Sequence, residues 1–153
     1  MINGLESVSI FSELDFTALE QISAFCERLS LMEGDVLISE NDPHSHDLFI
    51  LFEGKVEIIS NGSGVTSGEI SISRHDKEIF GEISWMSGAK RTATIRCVGE
   101  VDAIRIDGNK LTHYLESHPD TGYFIMRRIA LLLAHRLDQT NNLLKQVLWN
   151  SNI

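Results

Sequence analysis

The residues best placed to do chemistry lie in one run, Ile79-Phe80-Gly81-Glu82-Ile83-Ser84-Trp85-Met86-Ser87-Gly88-Ala89-Lys90-Arg91-Thr92-Ala93-Thr94-Ile95. An apolar strand ends at Phe80, and Gly81 lets the backbone turn and approach a ligand with no Cβ in the way. Glu82 to Met86 fit a single helical turn whose first N–H groups lack partners within the helix, a natural place for an anion. Arg91 follows ten residues after the glycine, immediately before another strand. An arginine at the mouth of such a turn can grip a phosphate through two parallel hydrogen bonds. A carboxylate beside it, Glu82, is out of place for phosphate alone. It suits a ligand that also presents a hydroxyl donor, as a ribose does.

Other chemistries find less support. His44-Ser45-His46 with Glu53 has the flavour of a metal motif, but Glu53 lies seven residues beyond His46, and beside Asp42 and Pro43 the segment reads as a solvated loop. His75, His113, His118 and His135 stand singly, with no acidic or cysteine partner at ligand spacing. No Gly-x-Ser-x-Gly elbow and no His-Glu-x-x-His helix occurs, so an enzyme lacks both nucleophile and metal; no metal is expected. Asn61 to Gly68 lacks the lysine of a phosphate loop and reads as an exposed hairpin tip.

The elements that must position the run follow from periodicity. With 153 residues, 42% of them hydrophobic and 23% charged, the chain is one domain, 1–153, with a real core and no linker or repeat. Leu19, Ile22, Phe25, Cys26 and Leu29 recur at threes and fours, predicting an N-terminal helix over 12–29. From 31 to 106 short apolar runs alternate with Gly and polar clusters, predicting strands. Gly34-Asp35 and Gly99-Glu100 mark corners there, and Glu53-Gly54 a tight hairpin. Asp107 can cap a short helix over 107–116, and a long helix covers 121–149. Many short strands flanked by helices predict a mainly β fold, a β-roll or double-stranded jelly-roll barrel with an N-terminal helix and a long C-terminal one.

Met126, Ala130, Leu133, Leu137, Thr140, Leu144 and Val147 are spaced 4, 3, 4, 3, 4, 3, which is a coiled-coil seam. A parallel homodimer through Leu133, Leu137, Thr140, Leu144 and Val147 is the expectation, with Thr140 as the polar interruption. Lys plus Arg number 13 against 22 Asp plus Glu, a net charge of −9 that opposes direct binding of DNA or RNA. Two cysteines cannot make a disulfide framework. The N-terminus lacks the basic and apolar regions of a signal peptide, and no run is long enough to span a membrane; a cytoplasmic protein is expected.

The run from Phe80 to Ile95 closely resembles the phosphate-binding cassette of cyclic nucleotide-binding domains, the family of bacterial catabolite activator proteins and of the regulatory subunits of cyclic-nucleotide-dependent kinases. Glu33-Gly34-Asp35-Val36-Leu37-Ile38, the stretch Asp47 to Ile59 with Glu53-Gly54, and Arg136-Leu137 are similar to that family as well, so the likeness runs from about Phe11 to Leu148. The resemblance implies a cyclic nucleotide, cAMP ahead of cGMP, as regulatory ligand. By the same token Arg91 would neutralise the cyclic phosphate and Glu82 would accept from the ribose 2′-hydroxyl. The N–H groups around Glu82, Ile83 and Ser84 would complete the cradle begun by Phe80 and Gly81. Thr92, next to Ala93, would offer a hydroxyl to phosphate or base, and Thr140 and Asn141 would cap the base from the long helix. Trp85 and Met86 read as packing. Transcription factors of this type continue into a helix-turn-helix after the long helix. The sequence in hand ends at Ile153, so the expected output is an unknown effector protein. The alternative is an interaction module of the same fold with a vestigial or permanently filled pocket.

Overall fold

The computed structural model describes residues 1–60, 68–73 and 79–151. The expected hairpin tip at Asn61–Gly68 and the lone His75 fall in or beside the segments outside this range. Among the described residues, strands β1 (Cys26–Leu31), β2 (Val36–Ile38), β3 (Leu48–Ser60), β4 (Gly68–Ser73), β5 (Ile79–Phe80) and β6 (Thr94–Ile106) pair antiparallel, in the order β1-β6-β3-β4, with β2 also on β6 and β5 also on β3. Helices are α1 (Phe16–Ser23), α2 (Glu82–Ser87), α3 (Gly108–Ser117) and α4 (Pro119–Ser151), after two 3₁₀ turns at Leu5–Ser7 and Ser9–Phe11. The mainly β fold with flanking helices and a long C-terminal helix is as the sequence predicts.

Period-2 alternation divides the core in two. Leu48 and Ile50 on β3, with Ile104 and Ile106 on β6, face the helices, where they meet Phe11, Ile22, Leu111, Ile125 and Ile129. Phe49, Leu51 and Val56 point the other way, into the roll, with Phe80, Ile95, Cys97 and Val101. The second cluster forms the floor beneath the candidate site.

Three local expectations are corrected. The N-terminal helix does not fill 12–29; it spans Phe16–Ser23, capped by the Asp15 carboxylate on the Ala18 N–H at 2.8 Å. Residues from Cys26 onward instead pair with β6, Cys26 to Ile106 through Leu31 to Val101. Their backbone groups complete a sheet that would otherwise leave a ladder of donors and acceptors open. Glu53-Gly54 is no hairpin: β3 runs straight through it, and the register with β6 shifts on either side, between Leu51 and Glu53 and again between Glu53 and Lys55. Gly54 takes φ 115° where a Cβ would sit 2.6 Å from the Glu100 carbonyl oxygen, so the glycine permits a bulge that bends the strand pair. The last helix starts at Pro119, whose missing N–H and fixed φ suit the first helical position, and it runs to Ser151. Asp107 caps α3 as expected, accepting from the Lys110 N–H at 3.0 Å.

Both thiols are unpaired, and burial pushes Cys26 up to about 12 and Cys97 up to about 11, so both stay protonated and inert. Among the described residues no helix is long and apolar enough to cross a membrane. Ile125 and Ile129 are fully buried and tie the first half of α4 to the core, each worth about 1.5–3 kcal/mol. Leu132 and Leu133 lean half-buried on the same cluster. After Arg136 every described residue of α4 is exposed. The second half of the helix therefore reaches past the body of the domain.

Candidate functional site

Where β5 ends, the chain turns through Gly81 at φ 89° into the six-residue α2 and leaves it through Gly88, also left-handed. Trp85 fixes this short helix from behind, donating its indole N–H to the Gly108 carbonyl (3.0 Å) and to the Thr112 hydroxyl (2.9 Å) on α3. In front of α2 opens a cavity of about 390 Å³, within the ~300–1,000 Å³ usual for small-molecule sites. Ile38, Ile58 and Ile95 give it an apolar wall, while α4 closes one side with Arg136, Gln139, Thr140 and Leu143, the spacing of one helical face.

Of the residues singled out in the sequence, Phe80, Gly81, Glu82, Ile83, Ser84, Arg91, Thr92, Ala93 and Thr140 all line this cavity. Asn141 does not; it is exposed on α4. One residue is about 100° of helix rotation, so a helix that turns Thr140 toward the cavity carries its successor away. Thr140 donates its hydroxyl proton to the Arg136 carbonyl within its own helix, at 2.9 Å.

Arg91 is 3% exposed. Its Nη2 donates to the Asp47 carbonyl (2.7 Å) and the Ser45 hydroxyl (3.2 Å), and its Nη1 to the Gly81 carbonyl (3.2 Å). Main-chain bonds from the Asn41 N–H to the Arg91 carbonyl and from the Arg91 N–H to the Asp42 carbonyl clamp the same residue to the loop after β2. Burial pulls the guanidinium pKa down from its ordinary value, and the charges of Asp47, Asp42 and Glu82 push it back up. An arginine remains protonated under such opposed shifts. Yet all its bonding partners are neutral, and its Nε–H, buried, has none among the described residues. A buried cation with an unspent donor is costly unless an anion completes it.

Glu82 is 7% exposed. Its carboxylate accepts from Arg136 Nη1 at 2.9 Å, while Arg136 Nη2 donates to the Ile79 carbonyl at 2.7 Å. The Arg136 guanidinium also lies 5.9 Å from the centre of the Phe80 ring. Two guanidinium groups thus converge on a cavity that holds one carboxylate, in a chain of net charge −9.

Sequence reasoning met Arg136 only through the Arg136-Leu137 likeness and gave it no role, and it did not find Ser45 or His46 as parts of the site. The segment His44-Ser45-His46 is no solvated loop at its last two positions: Ser45 and His46 are half-buried, and both hydrogen-bond to the cassette. No cluster of His, Cys, Asp or Glu among the described residues could hold a metal ion.

The site is thus a cavity at the mouth of an antiparallel roll, bordered by a glycine-turned helix and a buried arginine. The sequence pattern of the cyclic nucleotide-binding domain family matches residues 28–118, more than half of the chain, and the chain belongs to that family. It is 24% identical over 145 residues to the CRP-like cAMP-activated global transcriptional regulator of Mycobacterium tuberculosis, a match covering 95% of this chain and 62% of the regulator. It is 28% identical over 106 residues to the cAMP-dependent protein kinase regulatory subunit of Dictyostelium discoideum, covering 67% of this chain and 32% of that subunit. The chain thus spans less than two thirds of the length of these curated relatives. Among solved structures it superposes on a cyclic nucleotide-binding domain from Methylobacillus flagellatus with TM-score 0.76 at 18% identity, over 90% of this chain and 79% of the other.

Proposed function

We propose that this chain is a non-catalytic receptor whose cavity takes a cyclic mononucleotide, cAMP in preference to cGMP, and whose long helix α4 carries the response. The observation that carries the reading is Arg91: a buried guanidinium in the cavity wall, its Nε–H unspent and its other bonds made to neutral oxygens. A cyclic phosphodiester supplies one negative charge and acceptor oxygens, and the N–H groups at the start of α2 lie beside the same cavity. The apolar wall of Ile38, Ile58 and Ile95 suits the faces of sugar and base. The preference for cAMP rests on the two relatives, a cAMP-activated regulator and a regulatory subunit of a cAMP-dependent kinase.

Glu82 accepts from the ribose 2′-hydroxyl in this reading, and that hydroxyl competes with Arg136 for the carboxylate. Arg136 sits where α4 leaves the body of the domain, so a change in its contact with Glu82 reorients the exposed half of the helix. Ligand then favours one placement of α4 by the difference of its affinity for the two. The Arg136–Glu82 contact is also what favours the alternative, a protein-interaction module whose pocket is filled by its own side chain. Calorimetry separates the two. A saturable heat with cAMP or cGMP, and none with cyclic dinucleotides, is expected; no heat with any of them defeats the receptor reading. A ligand at a hundred times its Kd adds about 2.7 kcal/mol, which raises the melting temperature by roughly 5–10 °C. The interaction module shows no such rise.

The exposed half of α4 supports a parallel homodimer through Leu133, Leu137, Thr140, Leu144 and Val147: Leu137 is 61% and Leu144 54% exposed in the single chain. Leu133, half-buried on the chain's own core, marks where the seam would begin. Sedimentation at twice the chain mass, reduced to the monomer by Leu137→Glu with Leu144→Glu, is the expected outcome; a wild-type monomer at high micromolar concentration contradicts it. An acidic dimer of this kind passes its signal to an effector protein by contact, in the cytoplasm, rather than to DNA.

A further inference from the structure

The three consecutive residues Ser45, His46 and Asp47, on the loop leading into β3, hold the cassette at both ends. Ser45 and Asp47 take the two bonds from Arg91 Nη2. His46 reaches the other end: its Nδ1 lies 2.8 Å from the hydroxyl oxygen of Ser84, a residue 3% exposed in the wall of the cavity. The Ser84 hydroxyl proton is spent on the Ala89 carbonyl at 2.8 Å. The hydroxyl oxygen is therefore an acceptor, and His46 Nδ1 carries the proton it receives. Ser84 also accepts the Gly88 N–H on its own carbonyl, at 2.9 Å. One serine thus closes the loop that runs from α2 back to Arg91, and one imidazole N–H holds that serine.

The histidine is itself seated on a fixed surface. Its carbonyl oxygen lies against Gly108, where a Cβ would come within 2.2 Å, and the neighbouring Asp47 carboxylate accepts the Gly108 N–H at 2.9 Å. The main chain that carries this imidazole is thus seated against the start of α3, the helix to which Trp85 also fixes α2. The bond from His46 to Ser84 adds a second tie on α2, at a residue that lines the cavity together with Arg91.

We propose that His46 is a positioning residue for the nucleotide, acting through Ser84 to hold the cassette turn at the distance at which its N–H groups and Arg91 meet one phosphate. The inference rests on the receptor reading above and adds to it a residue that touches no ligand. It is tested by calorimetry with cAMP and cGMP on the full chain, with the unliganded melting temperature measured alongside. His46→Ala is expected to weaken binding roughly tenfold, the effect of losing the hydrogen bond that the Ser84 hydroxyl accepts. His46→Asn, whose side-chain amide N–H can stand where Nδ1–H does, is expected to recover affinity to within about threefold of wild type. Ser84→Ala is expected to weaken binding by a similar factor, and adding His46→Ala to it to change little more, because both remove the same bond. Should the alanine and asparagine variants bind alike, or the two alanine substitutions weaken binding by independent factors, the positioning role is refuted even though wild type binds. A wild-type chain that binds neither nucleotide refutes the receptor reading and, with it, this one.

Discussion

Arg91→Ala is expected to weaken cyclic nucleotide binding by about a hundredfold, the largest effect of any single side-chain truncation in the site. A hydrogen bond to a charged group contributes about 1.5–3 kcal/mol, or roughly a factor of 10 to 150. The upper end applies because this guanidinium also spans Asp47, Ser45 and Gly81, so its loss loosens the frame as well as removing the charge. Arg91→Lys is expected to behave nearly as badly: an ammonium can satisfy one or two of those oxygens but cannot serve them and a phosphate together. The stability of the unliganded protein should move far less than affinity, because a buried cation without a counter-anion contributes little to folding. Calorimetric Kd values beside unliganded melting temperatures check both halves. A Kd within threefold of wild type in Arg91→Ala would show that phosphate is held elsewhere.

Gly81→Ala is expected to remove binding as thoroughly and, unlike the arginine variant, to destabilise the fold. The residue sits at φ 89°, where an L-residue with a Cβ costs about 1–2 kcal/mol. The added methyl would come 2.7 Å from Arg91 Nη1 and 2.8 Å from the Asp47 carbonyl oxygen. The guanidinium can swing away, whereas the carbonyl belongs to main chain that leads directly into β3. The side chain therefore gives way, and the phosphate grip goes with it. A fall in melting temperature of about 5–10 °C and loss of measurable heat with cAMP are the expected results. Thermal melts and calorimetry on the same preparation decide it; wild-type affinity in Gly81→Ala would mean that Arg91 holds its ligand from another position.

The cassette was legible because its members are close in sequence: Gly81, Glu82 and Arg91 lie within eleven residues, and their types alone name the chemistry. The strand–helix alternation was legible for the same reason, as local periodicity. What escaped was decided by distant partners. Cys26 and Leu29 fit both a helical and a strand period, and only the open edge of β6, some eighty residues later, makes them strand. Gly54 signals a backbone that needs freedom, but whether that freedom makes a hairpin or a bulge depends on β6 continuing alongside. Ser45 and His46 look like loop residues until the fold brings Arg91 and Ser84 against them, 46 and 38 positions away. Arg136 belongs to the family likeness, but nothing in the sequence pairs it with Glu82 until the fold brings the two together. Asn141 entered through the family likeness alone, and in the single chain it is exposed beside Thr140 without lining the cavity.

The Nε–H of Arg91 offers the most direct test. In a ¹⁵N–¹H spectrum of the arginine side chains, assigned by loss of the peak in Arg91→Lys, titration with cAMP is expected to shift this resonance and slow its exchange with solvent, in step with calorimetric saturation. Binding of the nucleotide that leaves this one resonance unmoved would contradict the account, because the buried donor would then face something other than the phosphate.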